Sequence, residues 1–294
     1  MARSVVDFVG QEVIVSRFSR RIVCLSAAGL DILWELGIIP VGYLSQGVAS
    51  KPEFYGDRAR DFAQVGSWMF PDLKAIARLQ PDLILGWVFP HRFYLGKLNK
   101  IAPTYLMGGN GYQASFRRLQ NIAKLTGKIA SGERAIACLE QRFTQYYSAI
   151  PQRKYKTVLF MGGSTFNYYN RQFIIETSTG TMGSILEQFT HYPWSEPPRN
   201  REPGLTNISL QKILEVDPDV IFVQTYPPSK IPLSEKLKED RLGQQLKAVQ
   251  NHHVYEIEQL WHYGNGTHMI GLTLDKLMPL IYPELFGKPK LKAV

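Results

Sequence analysis

Apolar residues near the start of the chain change from a strand pattern to a helix pattern. Residues 21–25 form a mostly apolar and β-branched run, which is typical of a buried strand. The helical spacing of apolar residues over 30–36 predicts a helix, with Ser26 as its cap and Gly37 as its stop. Another short strand is predicted at 39–43. A strand, a helix and a strand in this order predict the beginning of a parallel sheet.

The same kind of segment occurs twice in the chain. Residues 73–85 align without gaps with residues 210–222, and each segment reads as an amphipathic helix, a Pro-Asp turn and a buried strand. Proline cannot continue a helix, and aspartate satisfies backbone donors at a turn. The strand at 21–25 has its own counterpart at 157–161, at nearly the same offset. Chance similarity between two helices is the alternative, but the repeated Pro-Asp and the shared offset favour two similar α/β lobes.

A long helix is predicted between the two repeats. Its apolar residues recur at alternating steps of three and four, at Ile136, Leu139, Phe143, Tyr146 and Ile150. About 20 helical residues span roughly 30 Å, enough to connect two lobes as a stiff rod. Pro151 marks the end of the helix. The predicted organisation is an N-terminal lobe at 1–126, a linking helix at 127–151 and a C-terminal lobe at 152–294.

The composition is that of a folded globular protein and narrows the choice of partners only a little. Hydrophobic residues make up 45% and charged residues 20% of the chain. Lys and Arg number 34 against 25 Asp and Glu, for a net charge of +9, but the basic residues are scattered, so no nucleic-acid partner is expected. No membrane span is predicted, because no run of 18 apolar residues occurs. The N-terminus lacks a signal-peptide pattern, so the chain reads either as a mature form or as one made without a signal.

Cysteines, histidines and glycines give little indication of catalysis or of a bound metal. Cys24 and Cys138 are both predicted to be buried and unpaired. The six histidines have no metal-binding spacing, so no metal site is expected. Motifs for nucleophilic serine, for a phosphate-binding loop and for a dinucleotide site are all missing from the sequence, which argues against an enzyme. The pair Gly162 and Gly163 is predicted to be a tight turn.

The order and spacing of these features resemble the siderophore- and cobalamin-binding family of ABC-importer binding proteins. The segments that carry the resemblance are 7–10 with 13–15, 21–23 with 33–42, 79–84, 216–221, 246–249, 254–256 and 261–264. Trp87 and the Trp-His-Tyr-Gly at 261–264 are most similar to ferric-siderophore binders, especially those of the hydroxamate type. The resemblance implies an α/β fold of two Rossmann-like lobes with mostly parallel sheets, joined by one long α-helix, and a ligand in the cleft between the lobes.

The resemblance also implies a biological setting. The chain would be a monomeric, non-enzymatic binding protein without a cofactor, located in the periplasm or anchored outside the cytoplasmic membrane. It would capture an iron(III)-siderophore and deliver it to an ABC permease and its ATPase. Members carry one acidic docking residue in each lobe, and this chain has Lys74 and Gln211 at those places. Asp72 and Glu215 are nearby acidic residues that could take over the docking role. If they do not, the chain would serve a divergent permease, or it would act as a sensor that no longer docks on a permease.

Candidate ligand-binding residues lie where strands are predicted to end. A ferric siderophore is bulky, partly apolar and often anionic, so aromatic walls and arginine guanidinium groups suit it. The predicted binding residues are Trp68, Trp87, Phe89, Arg92, Tyr169, Arg171, Arg199, Arg201, Tyr226, Trp261 and Tyr263. Trp194 is placed with them, whereas Trp34 is interpreted as a packing residue of its helix. The alternative is that these aromatic residues belong to an ordinary core or surface.

Other ligands and activities stay open from the sequence. A haem would need an axial ligand, for which His91, His262 and His268 are candidates. Cobalamin is also compatible with the resemblance. A metal-handling chelatase on similar lobes is the enzymatic alternative, and it would require histidines and carboxylates that converge on a metal.

Overall fold

The computed structural model describes residues 2–44, 62–195, 204–226, 229–257 and 266–287, except for the side chains of residues 165 and 166. The chain forms two compact α/β units. The N-terminal lobe contains Met1–Gly109, Gln113–Gln141 and His262–Gly271, and the C-terminal lobe contains Asn110–Tyr112, Arg142–Trp261 and Leu272–Val294. The prediction of two α/β lobes joined by one long helix is confirmed.

The N-terminal lobe is built on a five-stranded parallel sheet with the strand order β5-β4-β3-β6-β7. A separate antiparallel hairpin, β1 with β2, precedes it. The strands are β1 (Arg3–Val6), β2 (Glu12–Val15), β3 (Ile22–Cys24), β4 (Gly42–Tyr43), β5 (Ala63–Gln64), β6 (Leu83–Trp87) and β7 (Thr104–Met107). The helices are α1 (Ala27–Glu35), α2 (Leu73–Arg78), α3 (Val88–His91), α4 (Leu95–Leu98), α5 (Tyr112–Thr126) and α6 (Ile129–Ala149), with a 3₁₀ turn at Arg92–Tyr94.

Local signals near the start of the chain act as predicted, with one difference. The Ser26 hydroxyl accepts a hydrogen bond from the Gly29 N–H at 3.1 Å, which caps α1, and Gly37 ends the turn with φ of 66°. The predicted strand at 39–43 is shorter, because only β4 pairs within the sheet. The N-terminal hairpin turns at residues 7–10, where the Asp7 carboxylate accepts backbone N–H groups.

The C-terminal lobe has a five-stranded sheet with the order β10-β9-β8-β11-β12. Strands β8, β11 and β12 are parallel, whereas β9 pairs antiparallel with both β8 and β10. The strands are β8 (Val158–Gly163), β9 (Gln172–Glu176), β10 (Leu205–Ser209), β11 (Val220–Thr225) and β12 (Val254–Glu256). The helices are α7 (Thr165–Asn170), α8 (Thr181–Leu186), α9 (Leu210–Val216), α10 (Leu233–Glu239), α11 (Lys247–Gln250), α12 (Thr267–Ile281) and α13 (Pro283–Phe286), with 3₁₀ turns at Gln152–Lys154 and Gly243–Gln245. Helix α12 begins in the N-terminal lobe and belongs to the C-terminal lobe from Leu272 onward.

The repeated Pro-Asp segment makes the same joint in both lobes. The residue before each proline adopts a left-handed conformation, with φ of 44° at Gln80 and 50° at Asp217. The following aspartate then binds the backbone at the start of the adjacent strand. The Asp82 carboxylate accepts the Arg21 N–H at 3.0 Å, and the Asp219 carboxylate accepts the Thr157 N–H at 2.8 Å. Each joint therefore fixes the register between the two central strands, β3 with β6 and β8 with β11.

The long helix α6 has the buried stripe that its sequence predicts. Ile136, Leu139 and Phe143 are buried, and Ile150 just beyond the helix is buried as well. Cys138 departs from the prediction, since it is exposed, while Cys24 is buried as expected. Both cysteines are free, so no disulfide links them. Among the described residues, no helix combines the length and the apolar character that a membrane span needs.

The prediction of a tight turn at Gly162 and Gly163 is wrong. Both glycines are the last residues of β8 and pair in parallel with β11. Ser164 then caps α7, together with Asn167. A Cβ at Gly162 would lie 2.5 Å from the Tyr226 hydroxyl oxygen, so a larger residue at this position would displace the end of the tyrosine side chain.

Candidate ligand-binding surfaces

Exposed aromatic side chains cluster where strands of the N-terminal sheet end. Trp87 is the last residue of β6, and Trp68 follows β5. Because neighbouring parallel strands end at the same edge of a sheet, both indoles belong to its carboxyl edge. We call the following set the aromatic surface: Trp68, Phe70, Trp87, Phe89 and Phe93. Phe70 and Phe93 are 72% and 73% exposed, and Phe89 is 53% exposed, which is far more than packing residues require.

The two loops of the aromatic surface are tied to one another. The Tyr94 hydroxyl donates a hydrogen bond to the Met69 carbonyl at 3.1 Å, which joins the loop after β5 to the 3₁₀ turn after α3. The rings of Phe89 and Phe93 meet edge to face with centroids 6.2 Å apart. Arg92 is exposed in the same turn. The predicted residues of this lobe therefore lie on one locally connected surface.

Two buried basic side chains lie under the aromatic surface. The imidazole of His91 is buried, and its Nδ1 accepts the Trp87 N–H at 3.0 Å. Burial lowers the pKa of His91 to about 4, against the partly opposing effect of backbone groups of Trp68 and Trp87, so the ring is neutral at physiological pH. The guanidinium of Arg118 lies 5.0 Å from the centroid of the Trp87 ring.

Arg118 also holds the loop that follows β7. It donates to the carbonyls of Gly108 and Gly109 at 2.9 and 3.2 Å and to the Ser115 hydroxyl at 2.8 Å. Burial lowers the pKa of Arg118 to about 10, which still leaves the guanidinium charged. The N-terminal lobe therefore combines exposed rings with a permanent positive charge beneath one of them.

The C-terminal lobe presents a second surface, which is polar and cationic. We call the following set the tyrosine–cation surface: Tyr168, Tyr169, Arg171, Lys236 and Asp240. The Lys236 ammonium lies 5.0 and 5.5 Å from the ring centroids of Tyr168 and Tyr169, and Tyr169 is 73% exposed. Arg171, in a left-handed conformation with φ of 52°, forms an ion pair with Asp240 at 3.0 Å.

Asp240 anchors this surface to the lobe. Its carboxylate accepts the Tyr168 hydroxyl at 3.2 Å and the Leu242 and Gly243 N–H groups at 2.8 and 3.2 Å. Burial alone would raise the pKa of Asp240, but the backbone N–H groups and Arg171 hold it below its ordinary value. Asp240 therefore stays ionised at neutral pH and neutralises part of the charge of Arg171.

Several predicted residues are placed differently or are not described. Trp194 is a core residue and not part of a surface, because it is buried and its Nε1 donates to the Val158 carbonyl at 2.6 Å. Tyr226 is partly buried, and its hydroxyl packs against Gly162. Trp34 is 39% exposed and lies 6.0 Å from the His268 ring, so it is not a fully buried packing residue. Four predicted binding residues lie outside the described residues, namely Arg199, Arg201, Trp261 and Tyr263.

The two predicted docking positions are equivalent in the structure. Lys74 and Gln211 are each the second residue of their helix, α2 and α9, and both are exposed. The carboxylate of Asp72 caps α2 by accepting the Lys74 N–H at 3.0 Å. Glu215 forms an ion pair with Lys212 at 2.7 Å. Both neighbouring carboxylates therefore already have local partners.

Metal and haem ligation find no support in the described part of the chain. No group of three or more His, Cys, Asp or Glu side chains converges there. His91 is buried beneath Trp68, with ring centroids 5.0 Å apart, which removes it as an exposed axial ligand. His268 packs against Trp34, and His262 lies outside the described residues.

Sequence reasoning missed Arg118, Lys236 and Asp240 as components of the surfaces. For Arg118 a signal was present, because the residue falls on the buried face of α5 with Ala114, Leu119 and Ile122. A cation at such a position needs a specific partner, and here the partners are carbonyls and an indole ring.

Comparison with known proteins agrees with this architecture. The family model described as periplasmic binding protein matches residues 22–260. The chain therefore belongs to the periplasmic binding protein family.

Relatives and solved structures cover most of the chain. The Fe(3+)-citrate-binding protein YfmC of Bacillus subtilis is 26% identical over 249 residues, which is 83% of this chain and 75% of the relative. The Fe(3+) dicitrate-binding periplasmic protein FecB of Escherichia coli is 26% identical over 243 residues, or 81% and 77% of the two chains. The crystal structure of the petrobactin-binding protein YclQ of Bacillus subtilis superposes with a TM-score of 0.81 at 19% identity and covers 96% of this chain and 99% of that chain.

Proposed function

We propose that this chain is the substrate-binding protein of an ABC importer and that its ligand is an iron(III)-siderophore or a related ferric chelate. The observation that carries the proposal is the aromatic surface at the carboxyl edge of the N-terminal sheet, with the charge of Arg118 beneath Trp87. Similar proteins that bind ferric citrate or petrobactin support the same ligand class.

The aromatic surface and the tyrosine–cation surface match two chemical features of a ferric chelate. A ferric chelate presents an apolar outer shell, which large rings can cover, and oxygen atoms that carry negative charge. The chelator already fills the coordination shell of iron, so the protein needs no metal ligands of its own. The aromatic surface supplies the rings, and the tyrosine–cation surface supplies phenol hydroxyls, Lys236 and Arg171 for anionic oxygens.

Delivery to a permease and its ATPase, outside the cytoplasmic membrane, belongs to the same proposal. Lys74 and Gln211 lie at equivalent exposed positions, so they are the proposed contact points in the two lobes. Neither residue carries negative charge, so the partner surface would not rely on cations opposite these two positions.

Binding of ferric chelates tests the proposal directly. The purified chain is titrated with radioactive iron as its citrate, hydroxamate and catecholate chelates, and bound iron is measured by equilibrium dialysis. We expect saturable binding of at least one chelate. Trp87→Leu, which removes the ring, should weaken that binding by about 10-fold, the scale of one aromatic contact that also faces a cation.

A matched control is available in the same lobe. Trp34→Leu removes another partly exposed indole, in α1, and should leave the affinity unchanged. Equal effects of the two substitutions would reject the aromatic surface as the binding site. If none of the three chelates binds and haem or cobalamin binds saturably, the proposed ligand is wrong.

A further inference from the structure

The imidazole of His91 contacts both tryptophans of the aromatic surface at once. Its Nδ1 accepts the Trp87 N–H at 3.0 Å, so it acts on the backbone at the last residue of β6. Its ring lies 5.0 Å from the ring of Trp68, at an interplanar angle of 79°, so it acts on the side chain of the loop after β5. One buried ring therefore links the end of β6, with the partly buried indole of Trp87, to the loop after β5, with the exposed indole of Trp68.

The chain leaves little freedom for this ring. His91 is fully buried, and a Cβ at Gly86 would lie 3.2 Å from the His91 Cβ and 2.9 Å from Leu106 Cδ2. Glycine at position 86 therefore allows the imidazole to approach strand β6 closely. Because Nδ1 accepts a hydrogen bond, the neutral ring carries its proton on Nε2, which fixes the tautomer.

The Trp87 indole has a second restraint of a different kind. His91 fixes the backbone N–H of Trp87, whereas Arg118 faces its ring at 5.0 Å. A binding surface whose rings are fixed before the ligand arrives avoids the entropy cost of ordering them during binding. These contacts therefore bear on affinity, although the imidazole itself is hidden from any ligand.

We propose that His91 is a positioning residue for ligand binding, which presets Trp87 through a hydrogen bond and Trp68 through a ring contact. The inference rests on the proposed function for its effect on affinity. Its structural part concerns the ligand-free protein alone.

Three substitutions separate the two contacts of His91. His91→Asn places an amide oxygen near the position of Nδ1 and keeps an acceptor for the Trp87 N–H, but it removes the ring that faces Trp68. His91→Phe keeps a ring and removes the acceptor. His91→Leu removes both. The matched control is Ile76→Ala, which opens a cavity in α2 of the same lobe and leaves the side chains of His91 and both tryptophans in the sequence.

Two measurements are made on each variant. Near-ultraviolet circular dichroism of the ligand-free protein reports how rigidly the indoles are held, and equilibrium dialysis with the ferric chelate that the natural chain binds reports the dissociation constant. We expect His91→Leu to lose much of the tryptophan dichroism and to bind about 10-fold more weakly. His91→Asn and His91→Phe should each lose only part of the tryptophan dichroism and part of the affinity. Ile76→Ala should lower the melting temperature and leave the dichroism and the affinity unchanged.

The outcomes separate the two proposals. The role of His91 would be overturned if His91→Leu had the same tryptophan dichroism as the natural chain, or the same affinity. It would also be overturned if Ile76→Ala lost as much affinity as His91→Leu. If the natural chain binds none of the chelates, the proposed ligand fails, while the dichroism series still decides whether His91 positions the two indoles.

Discussion

Glu176, the last residue of β9, makes the stability of the C-terminal lobe depend on pH. Its carboxyl group is buried, and Oε1 accepts the Met182 and Gly183 N–H groups at 2.7 and 3.2 Å. Burial raises the pKa of Glu176 to about 7, and the two backbone hydrogen bonds oppose this only in part. The perturbation is Glu176→Gln, which keeps the size of the side chain and an acceptor oxygen but cannot ionise.

The sign and the magnitude follow from the two pKa values. Below an ordinary pKa of 4.5, Glu176 is protonated in both the folded and the unfolded chain. Between that value and about 7, the folded chain retains the proton that the unfolded chain has lost, so the free energy of unfolding falls as the pH rises. At roughly 1.4 kcal/mol for each pH unit, the natural chain should lose about 3 kcal/mol relative to Glu176→Gln over this window.

The assay is urea unfolding of both full-length chains at a series of pH values from about 4.5 to about 8, conditions that bracket both protonation states. The quantity of interest is the difference between the two curves as a function of pH, because packing defects of the glutamine shift the whole curve equally. Parallel curves, or a natural chain that gains relative stability as the pH rises, would show that the carboxyl group is not held protonated by burial.

Two further predictions concern the N-terminal lobe. An aromatic disulfide reagent should label Cys138 in the native chain but Cys24 only after unfolding, because Cys24 is buried and burial raises its pKa to about 12. Rapid labelling of both thiols in the native chain would contradict this prediction. Gly266→Ala should lower the free energy of unfolding by about 2 kcal/mol or more, since its Cβ would overlap the Asp31 carboxylate that caps α12. The control Gly96→Ala, in open space within α4, should leave that free energy unchanged or raise it slightly.

Most of the fold could be predicted because local chemistry and periodicity agree in the repeated segments. The Pro-Asp joint is specified by its own residues, since proline stops the helix and the Asp82 and Asp219 carboxylates bind the adjacent strand. The antiparallel pairing of β9 and β10 was missed. Both strands lie toward one edge of their sheet and are only partly apolar, so their direction depends on tertiary pairing that no local pattern records.

The exposure of Cys138 could have been read from the helix period. At about 100° per residue, Cys138 lies about 200° round the helix from Ile136 and so falls opposite the apolar stripe. Burial of Cys138 was predicted because cysteine is usually buried, but its position on the helix places it on the exposed face. Periodicity is therefore the stronger evidence wherever the two disagree within a long helix.

The surfaces were predicted only in part. Trp68, Trp87 and Phe89 lie at strand ends, as expected, but their role in binding stays a prediction. The buried contacts of His91 and Arg118 were not predicted. His91 is only four residues from Trp87, but whether its imidazole turns inward to accept the Trp87 N–H depends on tertiary packing. Arg118 is distant from Trp87 in the sequence, and only the fold brings its guanidinium to that ring.

The assignment of α6 to both units has a practical consequence for dissection of the protein. Its residues up to Gln141 pack in the N-terminal unit and those from Arg142 onward in the C-terminal unit. A fragment that ends at this boundary would stop in mid-helix and leave hydrogen-bonding groups of the cut turn unsatisfied. We therefore expect either half to aggregate when it is expressed separately. A soluble fragment should need the whole of Ile129–Ala149 and polar substitutions at the apolar positions of α6 that pack in the missing half.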